Sequence, residues 1–270
     1  MNQTESKTLL SVPAFKRRIH IIPINPDKDK LDEVCMPLIT MKTDKVYLMI
    51  TTNAKLGDPE RIVSGIHERI KDTTNAEIIY FGYFVPTDNL YGIIHEYRKI
   101  ISAEDGNDIY ICIGSGSYIS AVAGMMTAGI YSSEKDPNLK ATGYPRRVLP
   151  YMVKQDEIVF MPPDITIDVP PHYLIEALSV IAKLEEKCKE CHLTLSMGMF
   201  AKGLEGIGIA IPGGNIAPGT PANLYNTLNR RYIKPLLALG YINKGTPTTY
   251  QKGISLTEKG KNALIAFWMT

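Results

Sequence analysis

The residues best suited to hold a ligand lie in the run from Asp108 to Tyr131, DIYICIGSGSYISAVAGMMTAGIY. Ile109 to Ile113 is a short apolar run rich in β-branched residues, which predicts a strand buried on both faces of a parallel sheet. The stretch from Tyr118 predicts a helix. Between them Gly114, Ser115, Gly116 and Ser117 allow a tight turn and place a hydroxyl to cap that helix. The first amides of a helix have no intrahelical partner, and the dipole adds about half a positive charge there. This arrangement grips an anion or a hydroxyl. Spacing removes the sharper readings: the dinucleotide fingerprint needs glycine where Ile119 stands, and a Walker A loop needs a lysine, absent between Asp108 and Glu134. A nucleophile elbow is out of register. What remains open is a phosphate or hydroxyl cradle, or a tight turn that packs a helix closely on a sheet.

The elements that must position this turn read βαβαβαβα from Arg17: strands at Ile19–Ile22, Lys45–Thr51, Glu77–Phe84 and Ile109–Ile113, with helices near Leu31–Met41, from Pro59, over Leu90–Ile101 and from Tyr118. That alternation predicts an α/β fold, a Rossmann-like parallel sheet with helices on both faces. With strand order 3-2-1-4, the strand order reverses between the first and fourth strands, and ligands bind beyond the strand ends at that point. The turn Pro23-Ile24-Asn25-Pro26 then faces the turn Gly114 to Tyr118. Asn25 offers an amide to a base or ribose, or simply forms the turn; Ser115 and Ser117 offer hydroxyls. His20 and His95 have no acidic or nucleophilic partner within sequence reach and read as structural. Two further strands, Arg147–Val153 and Glu157–Met161, read as antiparallel edge additions. Arg146 and Arg147 are candidates to clamp a phosphate, or are solvated.

Of 270 residues, 44% are hydrophobic and 21% charged, a soluble globular composition with room for one medium and one small domain. The organisation reads as a tail over 1–16, a ligand-sensing domain over 17–165 and a second domain over 166–270, with paired prolines at 162–163 and 170–171 marking the change. The formal charge of +2 hides an asymmetry. From Pro171 onward there are eleven Lys and Arg against six Asp and Glu, and before it nineteen against twenty-two. A basic last part suits a polyanion. Tyr118 to Tyr131 falls short of the ~20 residues that span a bilayer, so no membrane partner is expected. Four cysteines without a disulfide pattern point to a reducing, cytoplasmic setting. Cys188-Lys189-Glu190-Cys191-His192 has haem-attachment spacing but closes an amphipathic helix, so helix-end packing is the better reading, and no metal is called for.

The second domain opens with a helix over His172–Cys188 and a shorter one over Met197–Leu204, followed by a Gly/Pro-rich stretch from Gly203 to Gly219. Thr220-Pro221 starts a helix to about Leu239, bent at Pro235, which exposes Asn223, Asn226 and Arg230 together, with Arg231 beside them. Gly240 ends it. A hairpin carrying Lys244 and Lys252 comes next, then a last helix from Thr257. Between Asn223 and Lys261 there are seven Lys and Arg and one Glu. This succession resembles a winged helix-turn-helix DNA-binding domain, although the Gly/Pro-rich stretch stands where such domains have a short turn. The resemblance implies that Asn223, Asn226, Arg230 and Arg231 enter the major groove of double-stranded DNA and that Lys244 and Lys252 contact phosphates.

The whole, together with the opening Ile19-His20-Ile21-Ile22-Pro23-Ile24 and the stretch Asp44-Lys45-Val46-Tyr47-Leu48, looks like the archaeal CARF (CRISPR-associated Rossmann fold) transcriptional regulators. That resemblance implies a homodimer whose paired Rossmann domains form a two-fold cleft for a cyclic oligoadenylate, foremost cyclic tetra-adenylate. Pro23, Ile24 and Asn25 and the residues Gly114, Ser115, Gly116, Ser117 and Tyr118 would be its ligand motifs. No other cofactor is implied. A ring of nucleotides suits a two-fold cleft, since its own symmetry matches the protein's. The alternative is an enzyme, either a metal-independent ring nuclease that cuts this ligand or a Rossmann-type nucleotide-binding enzyme. Against it, no His, Lys or carboxylate adjoins the Gly114–Tyr118 turn in sequence to move a proton.

Overall fold

The structure is a computed structural model that describes residues 16–25, 29–50, 59–81, 89–132, 148–161, 169–209, 221–245 and 253–268. Pro26, Arg146, Arg147 and Lys252 lie outside the described residues, as do 210–220 of the Gly/Pro-rich stretch. The chain divides into two compact units, Met1–Asp88 with Ile100–Ile167, and Asn89–Lys99 with Asp168–Thr270.

In the first unit β1 (Arg18–Ile24), β2 (Lys45–Ile50), β3 (Glu77–Phe81), β4 (Asp108–Cys112), β5 (Val148–Lys154) and β6 (Glu157–Phe160) form one sheet in the order β3-β2-β1-β4-β5-β6. Pairings from β3 through β5 are parallel, and β6 is antiparallel to β5. The helices α1 (Leu31–Thr40), α2 (Pro59–Ile70) and α4 (Tyr118–Ser132) belong to this unit, and α3 (Leu90–Ala103) joins β3 to β4 in the chain with its residues up to Lys99 counted in the second unit; the succession gives a Rossmann-like α/β fold. Ile22, Ile24, Val46 and Leu48 pack with Val34, Cys35 and Leu38 of α1 and Ile66 and Ile70 of α2. The alternate residues Ile19, Ile21, Tyr47, Met49, Ile109 and Ile111 are buried as well, so the central strands are covered on both faces.

Sequence reading makes both β5 and β6 antiparallel, but β5 runs parallel to β4. The reason is the connection: β5 comes after a crossover through α4, whereas β6 comes after the two-residue turn Gln155-Asp156. Both turn residues have positive φ, 51° and 60°, the twist that joins adjacent antiparallel strands.

In the second unit α5 (His172–Glu190), α6 (Met197–Gly206), α7 (Pro221–Leu228), α8 (Lys234–Ala238) and α9 (Glu258–Phe267) surround a core that includes Leu178, Ile181, Phe200, Leu228, Tyr232 and Leu236. The strands β7 (Ile242–Lys244) and β8 (Ile254–Leu256) pair antiparallel beside it. Between α7 and α8 lies a π-turn, Asn229–Ile233, with the Lys234 amide donating to the Asn229 carbonyl. Sequence reading puts a bend at Pro235; the wider turn comes just before that proline, a residue with no N–H to give a regular helix. Thr257 caps α9 by accepting from the Gly260 amide at 3.0 Å while its hydroxyl donates to the Gly240 carbonyl at 2.7 Å.

At the amino end of the sheet, Lys45 donates to Glu104 at 2.6 Å, and Glu104 also accepts from the Tyr47 hydroxyl and from Asn107 at 3.0 Å. Burial would raise the Glu104 pKa, but the hydrogen bonds from Lys45 and Tyr47 outweigh it and hold the carboxyl below the usual range. A depressed folded-state pKa contributes stability above the ordinary carboxylate pKa, which is lost as pH falls through the folded value. With side-chain exposures of only 13% and 8% the pair is little screened. Glu104→Gln should therefore cost roughly 3 kcal/mol in urea unfolding at neutral pH. The difference from the wild type should shrink as pH drops below about 4.

Candidate functional site

The carboxyl ends of β1 and β4 are where neighbouring strands leave in opposite directions, toward β2 on one side and β5 on the other. The turns after these two strands are held together by one carboxylate oxygen. Asp29 Oδ2 accepts from the Asn25 amide at 2.6 Å and from the Gly116 amide at 2.8 Å, and the Asp29 amide donates back to the Asn25 carbonyl at 3.0 Å. Each bond to an ionised acceptor is stronger than a neutral one.

Gly116 has φ +78°, and a Cβ there would lie 2.8 Å from Pro23 Cβ and from Ser120 Oγ. The approach of the two turns depends on that missing side chain. Ser117 caps α4: its hydroxyl accepts from the Ser120 amide at 3.1 Å, while Ser120 Oγ accepts from the Ser117 amide at 2.8 Å. This is a reciprocal capping box with serine where glutamate is usual. Pro23 and Ile24 are buried strand residues, Asn25 is half-buried, and Tyr118 stands 80% exposed.

Ser115 is nearly buried and donates to Cys112 Sγ at 3.2 Å. Burial pushes the Cys112 thiol up, partly offset by that hydrogen bond, and burial drives Tyr151 well above its usual pKa. Tyr151 hydrogen-bonds Cys112, and its hydroxyl lies 3.0 Å from His20 Nδ1. His20 is stacked on Tyr110, and burial lowers its pKa to about 3, so it is neutral. A polar chain thus runs from Ser115 into the sheet.

A cavity of about 20 Å³ opens between the turns, lined by Asp29, Lys30, Glu33, Val34, Cys112, Gly114, Ser115 and Val153. It has room for at least one group the size of water. Lys30 Nζ is paired with Glu33 at 3.1 Å, both exposed. Sequence reading finds no proton-moving group beside the Gly114–Tyr118 turn; the fold brings the Asp29, Glu33 and Lys30 side chains to it. Nothing in the sequence reading singles out Asp29, which sits directly before α1, whose N-cap residue Lys30 makes no side-chain cap.

In the second unit, Asn226, Arg230 and Arg231 are exposed, as is Lys244 of β7. Arg231 is not loose: its guanidinium lies 5.7 Å from the ring centres of Tyr173 and Tyr232. Lys244 Nζ reaches Asn229 Oδ1 at 3.5 Å, which ties the strand to the π-turn through a residue that the sequence reading does not select. The side chain of Asn223 lies outside the description. Among the described residues no group of His, Cys, Asp and Glu could hold a metal ion, and no helix is long and apolar enough to cross a membrane.

A family model described as "HFX_2341_N:-like, N-terminal" matches residues 18–146. No curated protein matches the chain. Among solved structures it is similar to Can2 from Sulfobacillus thermosulfidooxidans in complex with cyclic tetra-adenylate, with 14% identity, 92% of this chain and 63% of that one covered, and a TM-score of 0.34. It is also similar to Enterococcus italicus Csm6 bound to cyclic hexa-2'-fluoro-hexa-dAMP, at 10% identity, 84% and 56% coverage and a TM-score of 0.36. A third is protein VC1899 from Vibrio cholerae, at 10% identity, 93% and 64% coverage and a TM-score of 0.31. The chain therefore spans about three-fifths of the length of these structures.

Gly116→Ala places a methyl group against Pro23 and forces a strained φ. We expect it to lower the thermal stability of the protein by roughly 1–3 kcal/mol, and to speed hydrogen exchange at Asn25 and Gly116 more than at α2.

Proposed function

We propose that this protein is a ligand-responsive transcriptional regulator that binds a cyclic oligoadenylate, foremost cyclic tetra-adenylate, in a homodimeric cleft and double-stranded DNA through its C-terminal unit. The observation that carries the reading is the pair of turns after β1 and β4, joined at the point where strand order reverses. Ligand contacts are assigned to Asn25 and to the Gly114–Tyr118 turn, with Pro23 and Ile24 as the strand end that positions them.

The cavity in one chain is small beside a ring of nucleotides, so such a ring would lie across its mouth, with room for a second surface to close over it. A second copy supplies that surface. The helix α4 starts at the cleft and has no charged residue in fifteen, and it exposes Tyr118 and Val122 one turn apart. Such a stripe suits packing against its own copy, which sets two clefts side by side. In the second unit, exposed Asn226, Arg230, Arg231 and Lys244 support DNA contact, with the Tyr173 ring holding Arg231 in place.

One observation favours a second reading, cleavage of the ligand. Asp29, Glu33 and Lys30 line the same cavity as Ser115, so groups able to move a proton stand beside the turn.

Calorimetry with cyclic tetra-adenylate, followed by mass spectrometry of the same sample, separates these readings. Binding with intact ligand, and DNA affinity that falls about tenfold in Arg230→Ala and weakens with salt, is the regulator's outcome. Linear products make the enzyme primary. No binding, or DNA affinity indifferent to Arg230→Ala and to salt, overturns the regulator. Separately, Val122→Asp puts a charge in the stripe, and sedimentation should show a dimeric wild type and a monomeric variant; an equal state for both removes α4 from the interface.

A further inference from the structure

We propose that α3 is the regulatory link of this protein: Arg98 and His95 fasten its first turns to the carboxyl end of α9, so that α3 transmits changes at the ligand cleft to the second unit. What is transmitted rests on the regulator reading above. The fastening rests on geometry alone.

The second unit is made from two separate pieces of chain, Asn89–Lys99 and Asp168–Thr270. The first piece begins α3, a helix that runs unbroken from Leu90 to Ala103 and is started by Asn89, whose side chain accepts from the Gly92 amide at 3.0 Å. Its final residues, from Ile100 onward, belong to the first unit. The chain then enters β4, and β4 leads directly to the Gly114–Tyr118 turn.

The last carbonyls of an α-helix lack intrahelical donors, and the dipole leaves about half a negative charge beside them. A cation that donates hydrogen bonds is the group that suits such an end. Arg98 Nη1 donates to the Ala266 carbonyl at 2.8 Å, and the His95 ring donates to the Ile265 carbonyl, both in the last turn of α9. The Arg98 guanidinium also lies 5.5 Å from the centre of the Phe267 ring. Arg98 is only 3% exposed, a position that an arginine holds at a cost unless its charge is matched. Three residues separate His95 from Arg98, which puts both on one face of α3. Parting α3 from α9 therefore forfeits two hydrogen bonds, a charge match and a ring contact together.

Hydrogen exchange of the full-length protein, without ligand, tests the fastening. As urea is raised, the amides of residues 93–99 should lose protection together with those of residues 262–266 of α9, whether or not β1 and β2 open at the same point. Protection of residues 93–99 that is lost before or after that of α9 overturns the inference.

The transmission is tested by measuring affinity for duplex DNA with and without cyclic tetra-adenylate. In the wild type the ring should change DNA affinity by roughly five- to a hundredfold. Arg98→Leu keeps an apolar side chain beside Phe267 but removes the donor and the charge, so that factor should fall to near one while calorimetry finds the ring bound as in the wild type. Arg98→Lys, which keeps the charge and loses the planar contact, should fall between the two. An equal factor in the wild type and in Arg98→Leu overturns the inference. If the ring leaves the wild type's DNA affinity unchanged, the regulator reading fails, and the exchange measurement still decides whether α3 is held to α9.

Discussion

Everything at the cleft depends on the position of β1, which is hydrogen-bonded to β2 on one edge and to β4 on the other, with both of its faces buried. A strand so enclosed cannot shift register without exposing its whole apolar set. Its neighbours lead to opposite sides of the sheet, so the chain must part above it. Two turns are left with backbone amides facing the same gap, and such groups must find partners. Asp29 answers that requirement from within the chain, and Gly116 allows the approach.

Beneath the turns, the chain Ser115, Cys112, Tyr151 and His20 carries hydrogen bonding into a layer that is otherwise apolar. Burial suppresses ionisation all along it, with the thiol and the phenol pushed up and the imidazole down. The result is a row of neutral polar groups. His20 Nε2 has no hydrogen-bond partner among the described residues, which leaves the row incomplete at its inner end.

Much of the first unit was legible because its signals are periodic. Apolar β-branched runs separated by helical ones lead to the strand order, and the strand order leads to the switch point. Ser117 as a cap was readable from type and place alone. Asp29 was not, because a carboxylate in a polar segment carries no periodicity and its partners lie on turns that only folding joins. Ser120 was hidden for another reason: serine at the third helical position is a weak substitute for glutamate in a capping box. The direction of β5 depends on a crossover through a stretch where sequence pattern fades after Tyr131. In the second unit, the helix ends and Gly240 were visible, whereas the π-turn before Pro235 has no single-residue signature.

That π-turn divides one long helix into two rods that are out of phase. An extra residue in the turn offsets the second rod by about 100° relative to an unbroken α-helix. The outward-facing Tyr225 and Asn226 and the inward-facing Leu236 are therefore set by separate clocks. Leu224 and Leu228 before the turn and Leu236 after it still reach one core. The angular position of the exposed side chains can accordingly drift by gain or loss of one residue in this segment while the buried half stays seated.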